Sequence, residues 1–266
     1  MQENTGSEQS TVVEREQRLR EWFTRGGDPL QQVVDGLDIG WGGVQRWATA
    51  WMPAVAGWHL DVACGYATFL AQLGWRFPTA RLVGLNIDFE GPHALARPLL
   101  VEAGVAATLV QGDARRLPFA SDSFNSVSCF LGLQDVEIGF GQEGVRQFVA
   151  ETSRVLRPGG TLVLLDEFPF RRFDLLLDGL PLAVTGRAER ALDICWDREV
   201  AERAIALYAR GWAAQARPDD EAARRQARRD TYRRMAVDME RQLAGCGYYV
   251  PFGPVRMVVA EGMVRF

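Results

Sequence analysis

The chain of 266 residues contains no lysine, because all thirty of its basic residues are arginine. This absence excludes a lysine Schiff base to a carbonyl substrate or to pyridoxal. It also excludes the lysine of a nucleoside triphosphate-binding P-loop. The chain has only two histidines, His59 and His93, and its four cysteines form no CxxC pair. A zinc site is therefore not expected, and the cysteines are expected to be reduced, as in a cytosolic protein.

Long apolar runs and a strong charge of one sign are also lacking. The net charge is −4, so no global attraction to nucleic acid or to an anionic membrane is expected. The apolar runs are interrupted by Asp or His, and the first ten residues, MQENTGSEQS, carry no signal-peptide pattern. The Arg-rich stretch 187–241 interleaves opposite charges at helical spacing, which favours a solvated, ion-paired helix. We expect a cytoplasmic protein without a nucleic-acid or membrane partner, and a homodimer is compatible with the sequence.

Apolar patterning predicts alternating strands and helices from residue 58 onward. Strand-like runs occur at 60–64, 80–87, 106–113, 123–133 and 161–168, with helical spacing between them. Such alternation predicts an α/β fold with a doubly wound, mostly parallel sheet covered on both faces. Two further strands are predicted at the end of the chain, which makes seven. The predicted organisation is a disordered tail at 1–10, an N-terminal helical lid at 11–56, a core at 57–170 and 246–266, and a helical insert at 171–245 before the last two strands.

Polar residues follow the carboxyl end of every predicted parallel strand, which is where open α/β sheets bind ligands. The segments that carry them are LDVACGYATFL, VGLNID, VQGDARRLPFASDSFNSV and RVLRPGGTLVLLDE. In order and spacing, these segments resemble class I S-adenosylmethionine-dependent methyltransferases of the small-molecule type. The resemblance covers about 60–167, and the C-terminal strands match the closing antiparallel hairpin of that family.

The resemblance implies S-adenosylmethionine as the cofactor and a small molecule as the methyl acceptor. The loop after the first strand would pass under the methionine moiety, Asn86 would bind the ribose, and Asp113 would accept from the adenine amine. The implied cofactor-binding residues are Asp61, Ala63, Cys64, Gly65, Asn86, Ile87, Asp113, Ala114, Leu131 and Gln134. Because alanine disfavours positive φ, Ala63 and Ala67 are expected to have ordinary negative φ angles.

The same resemblance places catalytic and acceptor residues beside the cofactor. Asp135, His93 and Glu167 are candidate catalytic groups, and an acceptor that arrives protonated would need a general base. Trp41, Trp47, Asp135 and Phe168 are candidate acceptor-binding residues. Metal-dependent members of the family use an acidic cluster with a lysine, so the absence of lysine predicts metal independence. By contrast, His59 is predicted to be a structural histidine.

Two alternative functions stay open from the sequence. An NAD(P)-dependent oxidoreductase would need a GxGxxG turn after the first strand, where this chain has only Gly65. A catalytically inactive S-adenosylmethionine-binding partner protein would be compatible with Asn86, because the family usually has an acidic residue there. O-methylation is favoured over N- or C-methylation on resemblance alone.

Overall fold

The computed structural model describes residues 5–25, 42–191, 195–216, 221–250 and 253–263. Strands and helices alternate through the middle of the chain, as the apolar pattern predicts. The helices are α1 (Thr5–Thr24), α2 (Gly42–Trp51), α3 (Thr68–Arg76), α4 (Ala96–Glu102), α5 (Leu133–Val155), α6 (Phe170–Leu177), α7 (Arg198–Ala216) and α8 (Glu221–Cys246), with a 3-10 helix at Gly91–Leu95. The strands are β1 (Trp58–Val62), β2 (Arg81–Asn86), β3 (Ala107–Gln111), β4 (Phe124–Phe130), β5 (Leu156–Asp166), β6 (Leu182–Arg190) and β7 (Val255–Gly262).

The seven strands form one sheet in the order β3-β2-β1-β4-β5-β7-β6. Strands β1 to β5 pair in parallel, and β7 is antiparallel to both of its neighbours, β5 and β6. The predicted doubly wound sheet with an antiparallel C-terminal strand is thus confirmed. The strand order reverses between β1 and β4, so the carboxyl ends of these two strands border a crevice.

Helices cover both faces of the sheet, which explains why its central strands are almost entirely buried. One hydrophobic cluster packs the sheet against α5 and α6, and a second packs it against α2, α3 and α4. Gly84 of β2 permits the close approach of α3, because a Cβ at this position would lie 2.5 Å from Leu70 Cδ1. The packing brings the amino end of α3 to the crevice.

The predicted position of the helical insert is wrong in one respect. Strand β6 lies inside the stretch 171–245, and the helices α7 and α8 stand between β6 and β7. The Ala, Leu, Glu and Arg residues of LAVTGRAER are good helix formers, but backbone pairing with β7 overrides that preference. The end of the chain supplies one strand rather than two, since 246–250 contributes only an isolated bridge between Trp196 and Tyr249.

The N-terminal helix starts earlier than the sequence predicts. Helix α1 begins at Thr5 instead of Thr11, so residues 5–10 are helical and the prediction of a disordered tail is wrong for them. The ion-paired helix predicted for the Arg-rich stretch is observed in α8, where Arg225 pairs with Glu221 and Arg241 with Asp238. Within the residues that the structure describes, no helix is both long and apolar enough to span a membrane.

Candidate functional site

The loop between β1 and α3 forms one wall of the crevice and is tightly folded. The Cys64 N–H donates to Leu85 O at 3.0 Å, and the Ala67 N–H donates to Cys64 O at 2.7 Å. Ala63 and Ala67 have φ angles of 59° and 65°, so the prediction of ordinary φ at these positions is wrong. The loop reverses direction within a few residues, and this turn requires left-handed backbone even where the residue is alanine.

The loop after β4 meets this wall closely and is strained in the same way. Leu131 has a φ of 59°, and its N–H donates to Leu165 O at 2.8 Å. A Cβ placed on Gly132 would lie 2.6 Å from Ala63 Cβ and 3.0 Å from Cys129 Sγ. Only a glycine at 132 therefore lets the β1 and β4 loops approach at this distance. Non-glycine residues with positive φ cluster at functional sites because the surrounding structure must hold them there.

Asp61 lies at the floor of the crevice and is connected to a buried polar chain. Ser128 Oγ donates to Asp61 Oδ1 at 2.6 Å and lies 2.9 Å from His59 Nε2, while His59 Nδ1 lies 2.7 Å from Ser126 Oγ. Because the Ser128 hydroxyl proton goes to Asp61, Ser128 Oγ accepts from His59 Nε2, and Nδ1 accepts from Ser126. Burial lowers the pKa of His59 to about 3. His59 is thus the structural histidine that the sequence predicts.

The buried neutral state of His59 predicts acid sensitivity. The pKa of His59 is about 3 when folded and 6.5 ordinarily, so the unfolded chain binds one more proton between these values. The free energy of unfolding should fall by about 1.4 kcal/mol per pH unit as the pH drops from 6.5 towards 3. A His59→Gln variant lacks this proton uptake. Urea unfolding measures the difference in free energy of unfolding between the wild type and the variant. This difference should be about 2–3 kcal/mol less favourable to the wild type at pH 4.5 than at pH 6.5. The same difference at both pH values would contradict a neutral His59.

Asp166 ends β5 and caps the amino end of α5. Its Oδ2 accepts from the N–H groups of Leu133 at 3.0 Å and Gln134 at 3.3 Å, and its Oδ1 accepts from the Glu167 N–H at 2.8 Å. Burial raises the pKa of Asp166 to about 7, although these three donors act in the opposite direction. The cap fixes the direction in which α5 leaves the crevice.

Two more acids stand beside this cap. Asp135 is exposed to solvent, yet the protein around it limits its hydration and raises its pKa to about 6, with a smaller opposing effect of His93. Glu167 Oε2 accepts from Gln134 Nε2 at 3.0 Å, and the pKa of Glu167 is raised mainly by burial. These side chains place two carboxyls with raised pKa values on this side of the crevice.

The end of β2 brings Asn86, the predicted ribose-binding residue, together with Asp88 and His93. Asn86 Nδ2 donates to Asp88 O at 2.8 Å and lies 3.1 Å from His93 Nδ1, which is also 3.1 Å from Asp88 Oδ1. The tautomer of His93 decides whether Nδ1 accepts from Asn86 or donates to Asp88. The ring of Tyr66 meets His93 edge-on at 5.6 Å. Ile87, between Asn86 and Asp88, is 51% exposed and free to contact a ligand.

The loop after β3 carries Asp113, whose carboxylate is held by Arg115. Arg115 Nε lies 3.0 and 3.1 Å from the two oxygens, Nη2 lies 2.6 Å from Oδ2, and the Arg115 N–H donates to Oδ1 at 2.8 Å. The side-chain hydrogen bonds to Arg115 are the main reason that the pKa of Asp113 is lowered. Ala114 is almost buried. No local sequence signal selects Arg115, since an Arg two residues after an Asp is common in solvated loops.

Two of the aromatic acceptor residues predicted from sequence, Trp47 and Phe168, are not open walls of the crevice. Trp47 is partly buried against the second hydrophobic cluster. Phe168 is 3% exposed, packs 6.1 Å from Phe173, and has the Arg172 guanidinium 3.8 Å above its ring. Trp41 lies outside the described residues. Burial explains the discrepancy for Phe168, because a phenylalanine directly after a central strand is drawn into the core between the sheet and α6.

The two larger cavities lie away from the crevice. A cavity of about 690 Å³ lies at the opposite end of the sheet, beside the amino ends of β2 and β3, and a groove of about 680 Å³ runs along α8. The placement of the site rests instead on the strand-order reversal and on the convergence of polar side chains there. Among the described residues, no group of three or more His, Cys, Asp or Glu side chains is arranged to hold a metal ion.

Comparison with known proteins identifies the domain around this crevice. A family model described as a methyltransferase domain matches residues 60–164. A demethylmenaquinone methyltransferase of Deinococcus radiodurans is 36% identical over 149 residues, 53% of this chain and 55% of the relative. The ubiquinone/menaquinone biosynthesis C-methyltransferase UbiE of Paracoccus denitrificans is 36% identical over 137 residues, 48% of this chain and 52% of the relative.

The similarity extends to solved structures at the level of the fold. The crystal structure of the 4+2 cyclase SpnF aligns with a TM-score of 0.56 at 14% identity, covering 84% of this chain and 82% of that one. The chain spans about half the length of the curated relatives it matches. Residues 60–164 therefore form a domain that is similar in sequence to methyltransferases.

Proposed function

We propose that the chain transfers the methyl group of S-adenosylmethionine to the oxygen of a small-molecule acceptor, without a metal ion. The observation that carries this proposal is the position of Asp135, an exposed carboxyl at the first turn of α5 whose pKa is raised to about 6. A base with this pKa is mostly ionised at neutral pH and is matched to removing a proton from a hydroxyl. Methyl transfer itself needs mainly in-line alignment of nucleophile, methyl and sulfur.

The crevice supports the proposed cofactor placement through its chemistry. The acids Asp61, Asp135 and Asp166 all lie close enough to Cys129 to raise its pKa, so they surround the end of β4. A cluster of carboxyls suits a ligand with a sulfonium and an ammonium group. Asn86 Nδ2 donates to Asp88 O and lies 3.1 Å from His93 Nδ1, and Asn86 Oδ1 would accept from a ribose hydroxyl. A pyrophosphate would instead require a nest of N–H groups rich in glycine.

The residues of the proposed site follow the sequence assignment. Asp61 and the loop after β1 would hold the methionine moiety, Asn86 the ribose and Asp113 the adenine amine, with the acceptor between α5 and the loop after β5. We assign to the cofactor Asp61, Ala63, Cys64, Gly65, Asn86, Ile87, Asp113, Ala114, Leu131 and Gln134, to catalysis Asp135, His93 and Glu167, and to the acceptor Trp41 and Asp135, while the buried Phe168 and the partly buried Trp47 are left out.

A second candidate is C-methylation of a quinol ring, which the printed names of the relatives favour. Both reactions start by removing a proton from a ring hydroxyl, after which either the oxygen or a ring carbon attacks the methyl group. Incubation with methyl-labelled S-adenosylmethionine and reduced naphthoquinol or phenol acceptors would separate them, because mass-spectrometric fragmentation shows whether oxygen or carbon carries the label. NADH binding without S-adenosylhomocysteine binding would instead favour an oxidoreductase.

The cofactor placement predicts the effects of two substitutions on S-adenosylhomocysteine affinity. Asp113→Ala should weaken binding about ten-fold or more, because it removes a charged acceptor for the adenine amine. Asn86→Asp should keep or tighten binding, since a carboxylate accepts from both ribose hydroxyls. Titration calorimetry measures both effects, and Glu102→Ala, an exposed acid at the end of α4, serves as the control. If neither substitution changes the affinity, the cofactor does not bind where we place it.

A further inference from the structure

The first two turns of α5 form a structural unit of their own, which we call the front segment (133–140). Gly141 interrupts α5 with φ 68° and ψ −173°, backbone angles that are not helical and that strongly favour glycine. The regular part of α5 resumes after this residue. The front segment carries Asp135, so the position of this carboxyl depends on what holds the segment.

Contacts hold the front segment at both of its ends. At the amino end, Asp166 caps the backbone and Gln134 donates to Glu167. In the middle, Glu137 pairs with Arg172 of α6. At the carboxyl end, next to the Gly141 break, the Arg115 guanidinium lies 3.5 Å from the centre of the Phe140 ring. A guanidinium over an aromatic face is attracted by the ring quadrupole.

Arg115 therefore joins the two sides of the crevice. Its guanidinium binds both carboxylate oxygens of Asp113 in the loop after β3, and the same group lies over Phe140 of the front segment. Asp113 is the residue to which we assign the adenine. The Asp113–Arg115–Phe140 chain runs from the adenine end of the cofactor site to the segment that carries the proposed base.

Solvent exposure shows how a ligand would strengthen this chain. The side chains of Asp113 and Arg115 are 34% and 30% exposed, and Phe140 is 44% exposed. Ion pairs and cation–π contacts open to water contribute little, and they strengthen when water is excluded. An adenine base seated against Asp113 would cover the ion pair and fix the plane of the guanidinium that lies on Phe140.

The geometry points to Arg115 as a positioning residue that couples adenosine binding at Asp113 to the ordering of the front segment through Phe140. This inference rests on the proposed placement of the cofactor. The front segment carries Asp135, so cofactor binding would set the base in place before the acceptor reacts. Arg115 itself touches neither the methyl group nor the acceptor.

Hydrogen–deuterium exchange of the whole chain, with and without saturating S-adenosylhomocysteine, tests the coupling. In the wild type, amides 135–140 should exchange about ten-fold more slowly when the ligand is bound. In Phe140→Leu and in Arg115→Gln, this protection should fall to within about two-fold of the ligand-free rate at saturation. Protection of the loops 63–67 and 112–114 should persist in both variants, because the ligand covers these loops directly.

Arg116→Gln is the matched control, since it removes the same charge from the next residue, whose side chain is exposed. It should keep the wild-type protection of 135–140. Unchanged protection of 135–140 in Phe140→Leu, or equal loss in Arg116→Gln, would overturn the role of Arg115. Failure of the ligand to protect 63–67 and 112–114 in the wild type would instead overturn the proposed cofactor placement, so the two failures are distinguishable.

Discussion

Replacement of Asp135 by asparagine should lower kcat by about 10²–10⁴-fold, because it removes the proposed general base while keeping the size of the side chain. Affinity for S-adenosylhomocysteine should stay within about two-fold, because this ligand lacks the sulfonium charge that Asp135 would face and asparagine keeps the size of the side chain. Steady-state kinetics and calorimetry on one preparation separate the two quantities. Glu143→Gln, an exposed acid in the second part of α5, is the matched control and should react like the wild type.

The pH dependence of kcat/KM is a second test of Asp135 as the general base. Asp135 acts as a base only when it is ionised, and its pKa is about 6. The wild-type kcat/KM should therefore rise about ten-fold per pH unit below 6 and level off above it. Neighbouring acids titrate nearby, so the measured value belongs to the coupled group rather than to one carboxyl. A flat profile together with an active Asp135→Asn enzyme would mean that alignment alone drives the transfer.

The second large effect is expected where the loops after β1 and β4 meet. Gly132→Ala should lower the free energy of unfolding by about 1–3 kcal/mol, because the new Cβ would have to displace the Ala63 methyl group. The same displacement should weaken S-adenosylhomocysteine binding about ten-fold or more, since a shift of the cofactor loop misplaces its backbone. Urea unfolding measures the stability, and calorimetry measures the affinity.

A reciprocal substitution makes this prediction specific. Ala63→Gly removes the obstructing methyl group and relieves a φ of 59°, so it should be neutral or stabilise the fold by up to about 1 kcal/mol. The double variant, Ala63→Gly with Gly132→Ala, should recover at least half of the loss. Gly245→Ala, where a Cβ would meet no atom within 4 Å, is the control for adding a methyl group. A double variant no better than Gly132→Ala would show that the clash is not with Ala63.

The sequence predicts which strand ends border the crevice, but it does not predict the strained backbone angles of the loops there. Polar residues lie at or just beside the ends of β1, β2, β3 and β5, and a parallel sheet brings these ends to one edge, where Asp61, Asn86, Asp113 and Asp166 are found. The positive φ angles of Ala63 and Ala67 were mispredicted, because alanine avoids such angles unless tertiary contacts impose them. The close approach of Gly132 depends on the register of two strands distant in sequence, which a local pattern does not contain.

Local sequence patterns also do not predict that β6 is a strand or that Arg115 contacts Phe140. LAVTGRAER favours a helix by composition, and only the ladder with β7 makes it a strand. The contact between Arg115 and Phe140 joins residues of two separate elements, the loop after β3 and the part of α5 before the break at Gly141. Sequence motifs therefore predict which residues lie at the strand ends that border the crevice, whereas long-range packing decides which residues hold them.

The order β5-β7-β6 has a consequence for how the chain reaches its native state. Strand β7 inserts between two strands that precede it, and α7 and α8 separate it from β6. During synthesis from the amino terminus, the edge of β5 stays unpaired until Val255–Gly262 has left the ribosome. Such distant pairing slows folding and leaves an edge open to association with other chains. Strand β7, which is made after the other six strands of the sheet, thus completes a sheet whose parallel half can assemble first.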